Sequence, residues 1–512
     1  MDDKVIVTHR AALKGKYGKR GFARVVKALD ELKRADKKRG LITRVVYLDD
    51  VATMKRLHAP VFVYEDEHRA AKEAVDGVFK ALKPDYLMIL GAPDVIPHQD
   101  LNNPAYEAGD DDDAQAWGDL PYACDTPYGR DPAQFVGPTR VVGRLPDLTG
   151  ATEPSHLIAL LKIATNWKSR DLSEYQQYFG LSTFSWQRSS RNSLRKIFGN
   201  NSNIQIAPPK GPRYRNGELG ARVHFINCHG ADQAPYFEGQ KGLRYGYALT
   251  TEATQKSIRE GTVAAMECCY GAQLYNAVAL EEDIPICQSY LRQGSYGYLG
   301  STTIAYGPAT PPAGSADLVC QFFLRNVLDG ASIGRAALMA RQQFVQECEQ
   351  TDPMDLKTLA QFCLYGDPSV QPVCGAESVH APARAEQENT DRFRRRERRE
   401  RLKQTGEFLK DTKPTASKRE KGARMAPRAK RTLAGIAARE GLPRGQKFVA
   451  FPVKGAKPVR RAGARLASAP HKYYLAIGKP GRRSKHGHRH RVVVIAKELN
   501  GRIIDSRVYY ER

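Results

Sequence analysis

Three features are scarce in this chain of 512 residues: long apolar runs, cysteine and, toward the carboxyl end, acidic side chains. Apolar runs are short, and none approaches the roughly 20 consecutive apolar residues that cross a bilayer, so we expect no membrane span. Cysteine is modest and odd in number at nine, and the adjacent pair Cys268-Cys269 cannot form an ordinary unstrained disulfide. This content favours a reducing compartment over a disulfide-stapled secreted protein.

The amino terminus lacks the features of a secretory signal. Met1-Asp2-Asp3-Lys4 starts acidic, without the basic patch and the apolar run of roughly 7 to 15 residues that such a signal requires. We therefore expect a cytoplasmic protein.

Acidic residues are scarce only toward the carboxyl end. The whole chain carries 80 basic and 56 acidic side chains, a formal net charge of +24. Residues 1–375 hold about 43 of each sign, whereas residues 376–512 hold about 37 basic and about 13 acidic side chains. Essentially all of the net charge therefore belongs to the carboxyl-terminal part, which we expect to be a separate module.

Strand and helix patterns alternate through residues 1–375. Short β-branched and aliphatic runs predict strands over Lys4–Thr8, Arg44–Leu48, Asp85–Leu90, Thr139–Val142, Tyr178–Ser182, Arg222–Asn227, Thr262–Met266 and Gly297–Leu299. Apolar residues at three- and four-residue spacing predict helices over Gly21–Lys38, His68–Leu82, Glu153–Ser169 and Ala316–Glu347. The alternation predicts an α/β fold with doubly wound, mostly parallel sheets in two consecutive units, about 1–150 and about 151–375.

The pattern changes beyond residue 375. Residues 376–440 contain few apolar side chains and predict a basic linker that is either helical or disordered. Residues 441–512 predict a small basic β-rich module with strands over Lys447–Val453, Lys472–Ile477, Arg491–Ala496 and Arg502–Tyr510. Asn500-Gly501, between the last two strands, is a strong type I′ hairpin signal.

Three roles for this basic part stay open. It could bind nucleic acid through phosphate contacts, helped by the tyrosines Tyr473, Tyr474, Tyr509 and Tyr510. It could be an interaction or inhibitory module that docks on the neutral part of the chain. It could also be a soluble appendage.

Two apolar runs end in residues with chemical function. One runs from Val223 and ends in His229-Gly230, and the other runs from Val263 and ends in Cys269-Tyr270-Gly271. Neighbouring strands of a parallel sheet end at the same edge, where ligand crevices lie, so the two runs could bring an imidazole and a thiol together. The pair predicts a catalytic dyad of Cys269 and His229.

Cys269, rather than Cys268, is the predicted nucleophile. The caspase pattern Gln-Ala-Cys-[Arg/Gln/Gly]-Gly aligns with Glu267 to Gly271, with the histidine about forty residues upstream here and about fifty there. Cys268 takes the place of the alanine, so its side chain lies on the other side of the strand. We expect Cys269 on a tight turn that enters a helix at Ala272 to Tyr275, whose dipole would lower the thiol pKa.

His229 alone would more often be structural than catalytic, and it is the pairing of the two motifs that favours the dyad. Gly230 lets the backbone approach a substrate closely, and its amide could join that of Cys269 in an oxyanion hole. We expect His224, which is earlier in the same strand, to be structural.

The order of several further segments resembles the gingipain family, in the clan that also contains caspases, legumain and separase. Besides the two motifs, the segments that carry this resemblance are Asp85 to Pro97, Gly118 to Tyr122, Val142 to Pro146, Gly300 to Thr302 and Leu364 to Ser369. The resemblance covers much of residues 1–375 and implies a caspase-like fold. The basic tail stands where secreted gingipains carry adhesion modules, which favours a regulated intracellular protease of bacterial type.

The resemblance implies a cysteine endopeptidase in which Cys269 attacks the scissile carbonyl and His229 carries the proton, with no metal or other cofactor required. It also implies that Glu267 lines the pocket for the substrate residue on the amino side of the cut. A carboxylate there would favour arginine or lysine through a charge-assisted pair, and the alternative is a glutamate that bonds loop amides. Asp232 is a second candidate wall of this pocket. Such a preference would also make self-cleavage between about 384 and 431 a hypothesis.

Two segments have metal-binding composition without predicting a metal. The run Asp110-Asp111-Asp112-Asp113 offers oxygen ligands for a structural calcium ion, but it lacks the alternating spacing and the glycine of an EF-hand loop. An acidic loop that is solvated, or that docks a basic segment, is favoured instead. The tract His486-Gly487-His488-Arg489-His490 is surrounded by positive charge, which repels a cation.

The rival function is a caspase-fold scaffold without turnover. It would bind nucleic acid or a protein partner through the basic module, with steep salt dependence on DNA or RNA. An enzyme would instead act on a protein or peptide substrate and depend on Cys269.

Overall fold

The computed structural model of the chain describes residues 2–64, 67–106, 111–215, 217–348, 352–374, 385–412, 425–443, 445–453, 471–480 and 490–512. The strands in these ranges are β1 (Lys4–Thr8), β2 (Thr43–Tyr47), β3 (Tyr86–Leu90), β4 (Gln99–Asn102), β5 (Gln115–Gly118), β6 (Val142–Leu145), β7 (Tyr178–Thr183), β8 (Ile204–Ala207), β9 (Val223–Asn227), β10 (His229–Gly230), β11 (Tyr236–Lys241), β12 (Arg244–Thr250), β13 (Val263–Met266), β14 (Gly297–Ser301), β15 (Tyr306–Gly307), β16 (Phe362–Tyr365), β17 (Val449–Val453), β18 (His471–Gly478), β19 (Val492–Leu499) and β20 (Arg502–Glu511).

The helices in the same ranges are α1 (Arg10–Lys38), α2 (Val51–Arg56), α3 (Glu67–Leu82), α4 (Ser155–Asn166), α5 (Gln187–Phe198), α6 (Thr251–Thr254), α7 (Ala277–Leu280), α8 (Ile286–Arg292), α9 (Ala316–Leu328), α10 (Ile333–Glu347), α11 (Pro353–Gln361), α12 (Ala385–Asp411) and α13 (Pro427–Arg439). None of the helices in the described ranges combines the length and the apolar character that a bilayer crossing needs.

Ten strands form one continuous sheet in the order β2-β1-β3-β6-β16-β14-β13-β9-β7-β8. Every neighbouring pair is parallel except β14 and β16, so the strands on one side of that pair run opposite to those on the other. The predicted fold class, an α/β protein with a doubly wound, mostly parallel sheet, is confirmed. The two predicted units are joined edge to edge, because β16 from the end of the second unit pairs with strands of both.

The central strands are buried along their whole length because helices cover both faces of the sheet. All residues of β9 and β13 are buried, as is typical of parallel sheets. Alternate side chains enter two different cores: Ile226 and Met266 lie in the core shared with α1, α3, α4 and α8, whereas Phe225 and Ala265 lie in the core shared with α9 and α10.

Three predicted elements differ clearly from the structure. The helix predicted over Gly21–Lys38 begins earlier, at Arg10, with a kink at Gly18. The strand predicted over Thr139–Val142 lies further along the chain as β6. The helix predicted over Ala316–Glu347 is two helices, α9 and α10, because the chain turns at Gly330, whose φ of 90° suits glycine. The pattern gave no indication of β8 or of the hairpin formed by β11 and β12.

The predicted carboxyl-terminal β module is confirmed, and it is docked on the rest of the protein. Its strands pair antiparallel in the order β20-β19-β18-β17, and β20 also pairs with β15, which belongs to the larger unit. Asn500 and Gly501 have φ angles of 50° and 78°, as the predicted type I′ hairpin requires. One face of this sheet packs into the core that contains α9 and α10, and the other packs against α13.

The basic linker is helical where it is described. Helix α12 is anchored on the larger unit, since Arg401 pairs with Asp85 and Phe408 is 2% exposed. Residues 375–384 and 413–424, which include part of the predicted self-cleavage stretch, lie outside the described residues.

Candidate active site

The ends of β9 and β13 bring the two predicted catalytic motifs together. These strands are parallel neighbours, with Ile226 opposite Met266, so the residues that follow them leave the sheet at one edge. A Cβ atom at residue 230 would lie 1.7 Å from the carbonyl oxygen of Cys269 and 3.2 Å from its amide nitrogen. Only glycine allows this approach, and the His229-Gly230 backbone therefore lies directly against Cys269.

Cys268 and Cys269 point into opposite cores. The side chain of Cys268 belongs to the core that contains Met266, whereas Cys269 belongs to the core on the other face of the sheet. The Cys269 Sγ atom accepts a hydrogen bond from the Ala305 amide at 3.2 Å, in the segment that leads into β15. Cys269, and not its neighbour, thus faces the edge at which β15 lies.

The turn after Cys269 differs from the prediction. Tyr270 has a φ of 54°, which is the tight turn expected, and the Gly271 amide donates to the Cys268 carbonyl at 3.1 Å. No helix begins at Ala272, however: residues 273–276 are irregular, and the next helix, α7, begins at Ala277. The predicted contribution of a helix dipole to the thiol pKa is therefore wrong.

His229 is oriented by Gln240, a residue on β11 that the sequence did not single out. The imidazole Nε2 lies 2.9 Å from the Gln240 Oε1 atom, while the Gln240 Nε2 atom donates to the Gly242 carbonyl at 2.9 Å. The second bond sets the amide so that its oxygen faces the imidazole, and the hydrogen is accordingly on Nε2 of His229. Nδ1 is then the nitrogen that can exchange a proton with a reacting group.

The histidine is also fixed by ring contacts. Trp186 packs against it edge to face with ring centroids 4.3 Å apart, and His490 of the carboxyl-terminal module stacks on it at 3.9 Å. His229 is 2% exposed as a result. His224, in contrast, is buried within β9 and is placed by Tyr290 Oη at 2.9 Å, which fits the structural role predicted for it.

The two amides assigned to an oxyanion hole donate to one oxygen. The Gly230 and Cys269 amides are each 3.3 Å from the carbonyl oxygen of Arg512. The amide of Arg512 in turn donates to the Ala305 carbonyl at 3.0 Å, and the preceding residues of β20 pair antiparallel with β15, Glu511 opposite Tyr306. The end of β20 thus lies as an extended strand across the tips of β9 and β13.

The side chain of Arg512 fills a closed pocket. Its guanidinium reaches Asp317 Oδ1 at 3.2 Å and the Pro308 carbonyl at 2.8 Å, and it lies over the Trp186 ring at 4.5 Å. A Cβ at Gly307 would lie 2.3 Å from its Nη2 atom, so the glycine leaves room for it. The side chain of Arg512 is thus held by a carboxylate, by a carbonyl and by an aromatic face together.

Glu267 and Asp232 occupy different surroundings. Glu267 is fully buried, and burial raises its pKa well above the ordinary value; the neighbouring Asp317 carboxylate raises the pKa further, while Arg512 lowers it. Asp232 is exposed and accepts a hydrogen bond from Gln273 at 2.5 Å. Of the two predicted pocket walls, the structure brings Glu267 to the arginine pocket and leaves Asp232 on the surface beside Gln273.

The thiol is neutral in this arrangement. Cys269 is 0% exposed, and burial raises its pKa well above the usual value, with the Glu511 carboxylate raising it further. A thiolate is the reactive form of cysteine, so the site as it stands is sealed and poorly nucleophilic.

The clusters with metal-ligating residues are occupied by cations of the protein itself. Asp111 pairs with Lys357 at 2.8 Å, and Asp112 pairs with Arg491 of the module, in line with an acidic loop that docks a basic segment. His98, Asp119 and Cys363 have ligand atoms within 4.8 Å of one another, but Arg144 bonds Asp119 through two nitrogens at 2.6 and 2.8 Å. A positive charge at that distance opposes a metal cation.

The carboxyl-terminal module does not present the tyrosines that nucleic-acid stacking would need. The four candidates are between 1% and 4% exposed: Tyr473, Tyr474, Tyr509 and Tyr510. Buried rings cannot stack on bases, so this part of the nucleic-acid interpretation is wrong. His486 and His488 lie outside the described residues.

Sequence reasoning missed four side chains of the site: Trp186, Gln240, Asp317 and Arg512. Trp186, Asp317 and Arg512 lie in segments of the chain far from the two motifs. Gln240 lies on the hairpin of β11 and β12, whose sequence gave no strand pattern. No local pattern distinguished Arg512 from the other basic residues of the chain, which number 80 with lysine and arginine together.

Comparison with known proteins gives a limited result. No protein-family model and no curated protein matches the chain, whereas 11 chains of solved structures do. One, described as "Structure of Protease", is 14% identical with a TM-score of 0.48, and the match covers 99% of this chain and 97% of that chain. Another, from the Saccharomyces cerevisiae separase-securin complex, is 11% identical with a TM-score of 0.28 and covers 46% of this chain and 14% of that chain.

Proposed function

We propose that this protein is a cysteine endopeptidase that cleaves polypeptides after arginine or lysine. The observation that carries the proposal is the position of Arg512. Its carbonyl oxygen accepts from the amides of Gly230 and Cys269, while its guanidinium is held by Asp317. This is the arrangement that a substrate would adopt with arginine on the amino side of the bond to be cut.

The chemistry follows from the groups around that carbonyl. Nδ1 of His229 takes the proton of the Cys269 thiol, the sulfur adds as the thiolate to the carbonyl carbon, and the two amides stabilise the negative charge that develops on the oxygen. His229 donates a proton from Nδ1 to the leaving amine, the C–N bond breaks and a thioester remains. Water, deprotonated by the same nitrogen, then hydrolyses the thioester and restores the thiol.

Gln240 acts as the residue that positions the histidine. Because its oxygen accepts from Nε2, it leaves Nδ1 as the nitrogen that exchanges the proton, and it stabilises the imidazolium that forms when Nδ1 takes a proton.

The pocket supports a preference for long basic side chains. Asp317 and the buried Glu267 supply acidic groups, Trp186 supplies an aromatic face, and Gly307 supplies space. Arginine gains most from this set because its planar guanidinium can bond Asp317 and the Pro308 carbonyl while it stacks on the indole. Asp232 remains a candidate only for contacts outside this pocket.

The proposed setting is the cytoplasm, where nine free thiols would persist. Proteins or peptides with an exposed basic residue in an extended segment are the proposed substrates. The scaffold alternative keeps the basic charge that suggested it but loses the contribution of base stacking, since the four tyrosines of the module are buried.

The test is a panel of short fluorogenic peptides that differ only in the residue before the cleaved bond: arginine, lysine, aspartate or leucine. The protein, its Arg512→Ala form and both of these with Cys269→Ala are compared. We expect hydrolysis of the arginine and lysine peptides that disappears with Cys269→Ala. Preference for aspartate or leucine would overturn the pocket assignment, and full activity in the Cys269→Ala forms would overturn the nucleophile.

A further inference from the structure

The segment that fills the candidate active site is part of a folded module, not a loose end. Strand β20 lies between β19, with which it pairs at eight positions, and β15, with which it pairs at two. Its last residues are therefore held on both sides. A strand added to an exposed sheet edge is a common mode of peptide recognition, in which main-chain bonds give affinity and side-chain pockets give specificity. β15 is only two residues long, but its backbone groups pair with β20 in the same way.

Anchors away from the reacting atoms hold the module in this place. Arg507 bonds Asp352 and Asp355, both at 3.4 Å, at the start of helix α11. On the other flank Arg491 pairs with Asp112 and also with Glu511 at 3.0 Å. The basic module is thus matched to acidic groups of the larger unit by specific ion pairs, in addition to the apolar face that packs into the core of α9 and α10.

The docked module closes the site to solvent and to any other peptide. The Arg512 side chain fills the pocket, its carbonyl accepts from both amides, and β20 pairs with β15. A substrate strand would need these same three binding positions. His490 adds a stacked ring over His229 at a centroid distance of 3.9 Å. Cys269 and Arg512 are each 0% exposed.

From these contacts we propose that the carboxyl-terminal module is a built-in inhibitor of the peptidase, which keeps it latent by presenting Arg512 to the site as a substrate-like strand. The proposal rests on the proposed function and adds its regulation. Because the inhibitor is in the same chain and is ordered beforehand, it competes at a high effective concentration and loses little conformational entropy on docking. Activation then requires β20 to leave the edge of β15.

The decisive variant is Arg512→Ala in the full chain, which removes the pocket contact and leaves the rest of β20 in place. Arg502→Ala is the matched control, because Arg502 is an exposed arginine at the other end of the same strand and pairs through its backbone with Leu499. Asp112→Asn is a second, independent variant that weakens the docking from the larger unit, at a side chain 68% exposed and away from the pocket.

Two readouts are taken on each protein. One is hydrolysis of a short fluorogenic peptide with arginine before the cleaved bond. The other is the rate at which iodoacetamide alkylates Cys269, followed by peptide mass spectrometry, with the partly exposed Cys374 as the internal reference. Alkylation needs access to the thiol but no turnover, so it reports on occlusion separately from catalysis.

We expect Arg512→Ala to raise both rates by about tenfold or more, because truncating one partner of a buried charge pair shifts an equilibrium by at least that factor. We expect Asp112→Asn to raise both by a smaller factor, and Arg502→Ala to leave both at the level of the unaltered protein.

Three other outcomes have distinct meanings. Unchanged alkylation in Arg512→Ala and Asp112→Asn, with the unaltered protein already hydrolysing the peptide, would overturn the inhibitor and leave the peptidase standing. Faster alkylation with no hydrolysis in any form would overturn the proposed function and leave the occlusion standing. Equal increases in Arg502→Ala and Arg512→Ala would overturn the specific role of Arg512.

Discussion

The arginine pocket contains two acidic residues with unequal roles, and this inequality gives the sharpest prediction of the structure. Asp317 bonds the guanidinium of Arg512 at 3.2 Å and also accepts from Ser189 Oγ at 2.5 Å. Burial raises the pKa of Glu267 well above the usual range, and the Asp317 carboxylate raises it further. The raised pKa favours the neutral form of Glu267, because two neighbouring buried carboxylates resist ionising together, and Asp317 is the carboxylate that bonds the guanidinium directly.

The perturbations are Asp317→Asn and Glu267→Gln, each made in the Arg512→Ala form so that the pocket is empty. Truncating one partner of a buried, hydrogen-bonded charge pair costs roughly 2 to 5 kcal/mol. At about 1.4 kcal/mol for each factor of ten, Asp317→Asn should lower kcat/KM for an arginine peptide by about 100-fold. Glu267→Gln keeps the shape of the side chain and leaves the Asp317 contact in place, and we expect a loss below about tenfold.

The assay compares an arginine peptide with its citrulline counterpart, which has nearly the same shape and no charge. Asp317→Asn should affect the citrulline peptide little, because that substrate never gained from the carboxylate. Equal losses for both peptides, or a larger loss in Glu267→Gln than in Asp317→Asn, would refute the assignment of charge within the pocket. Thermal unfolding of each variant, measured alongside, separates a pocket effect from a loss of the fold.

Three further predictions concern the histidine, the glycine and the docked module. Gln240→Ala should lower kcat by about tenfold or more, because the histidine loses the group that orients it. Gln240→Glu still accepts from Nε2, so it should keep most activity and move the acidic limb of the pH–rate profile to higher pH. An unmoved profile in Gln240→Glu would contradict the positioning role. Gly230→Ala should abolish peptide hydrolysis, since the added carbon would lie 1.7 Å from the Cys269 carbonyl oxygen, and an active Gly230→Ala protein would show that the two motifs are not in contact. Burial alone would raise the pKa of Glu511, but the hydrogen bond and charge of His490 and the charge of Arg491 lower it to about 2 from an ordinary 4.5. A lowered carboxylate pKa stabilises the docked state above about pH 4.5 and loses that contribution as the pH falls toward about 2. The fluorescence of Trp186, isolated by comparison with Trp186→Phe, should therefore change over this interval, and a flat signal with secondary structure intact would speak against the role of Glu511.

What the sequence could predict was local or periodic. The apolar runs Val223–Asn227 and Val263–Met266 indicated parallel strands because both faces of such strands are buried, and the motifs at their ends followed from that. Asn500-Gly501 indicated its hairpin because both residues accept positive φ.

What the sequence could not predict depends on distant contacts or on short elements. Asp317 and Arg512 are 195 residues apart, and no periodicity connects them. Gln240 lies on β11, whose sequence Tyr-Phe-Glu-Gly-Gln-Lys has too little alternation to stand out as a strand. A helix was expected after Cys269 because Ala272 to Tyr275 has helix-forming composition. The prediction is wrong because the Ala272 amide donates to the Ser301 carbonyl at 2.8 Å and not to a carbonyl of a helical turn.

The charge of the tail was predicted correctly, and its use was left open because charge alone does not identify a partner. A basic surface binds phosphate or carboxylate equally well in principle. The ion pairs of Arg491 and Arg507 with carboxylates of the larger unit favour docking within the chain over phosphate binding. These pairs form only when the chain is folded.

The most direct test of the account is the site of covalent modification by a thiol-reactive peptide that carries arginine before its reactive group. The Arg512→Ala protein is incubated with this probe, digested and analysed by mass spectrometry, with the Arg512→Ala, Cys269→Ala double variant as the control. The account predicts one adduct, on Cys269, that forms faster than with the matching aspartate probe and is absent from the control. An adduct mainly on another of the nine cysteines, or equal labelling by the two probes, would contradict it.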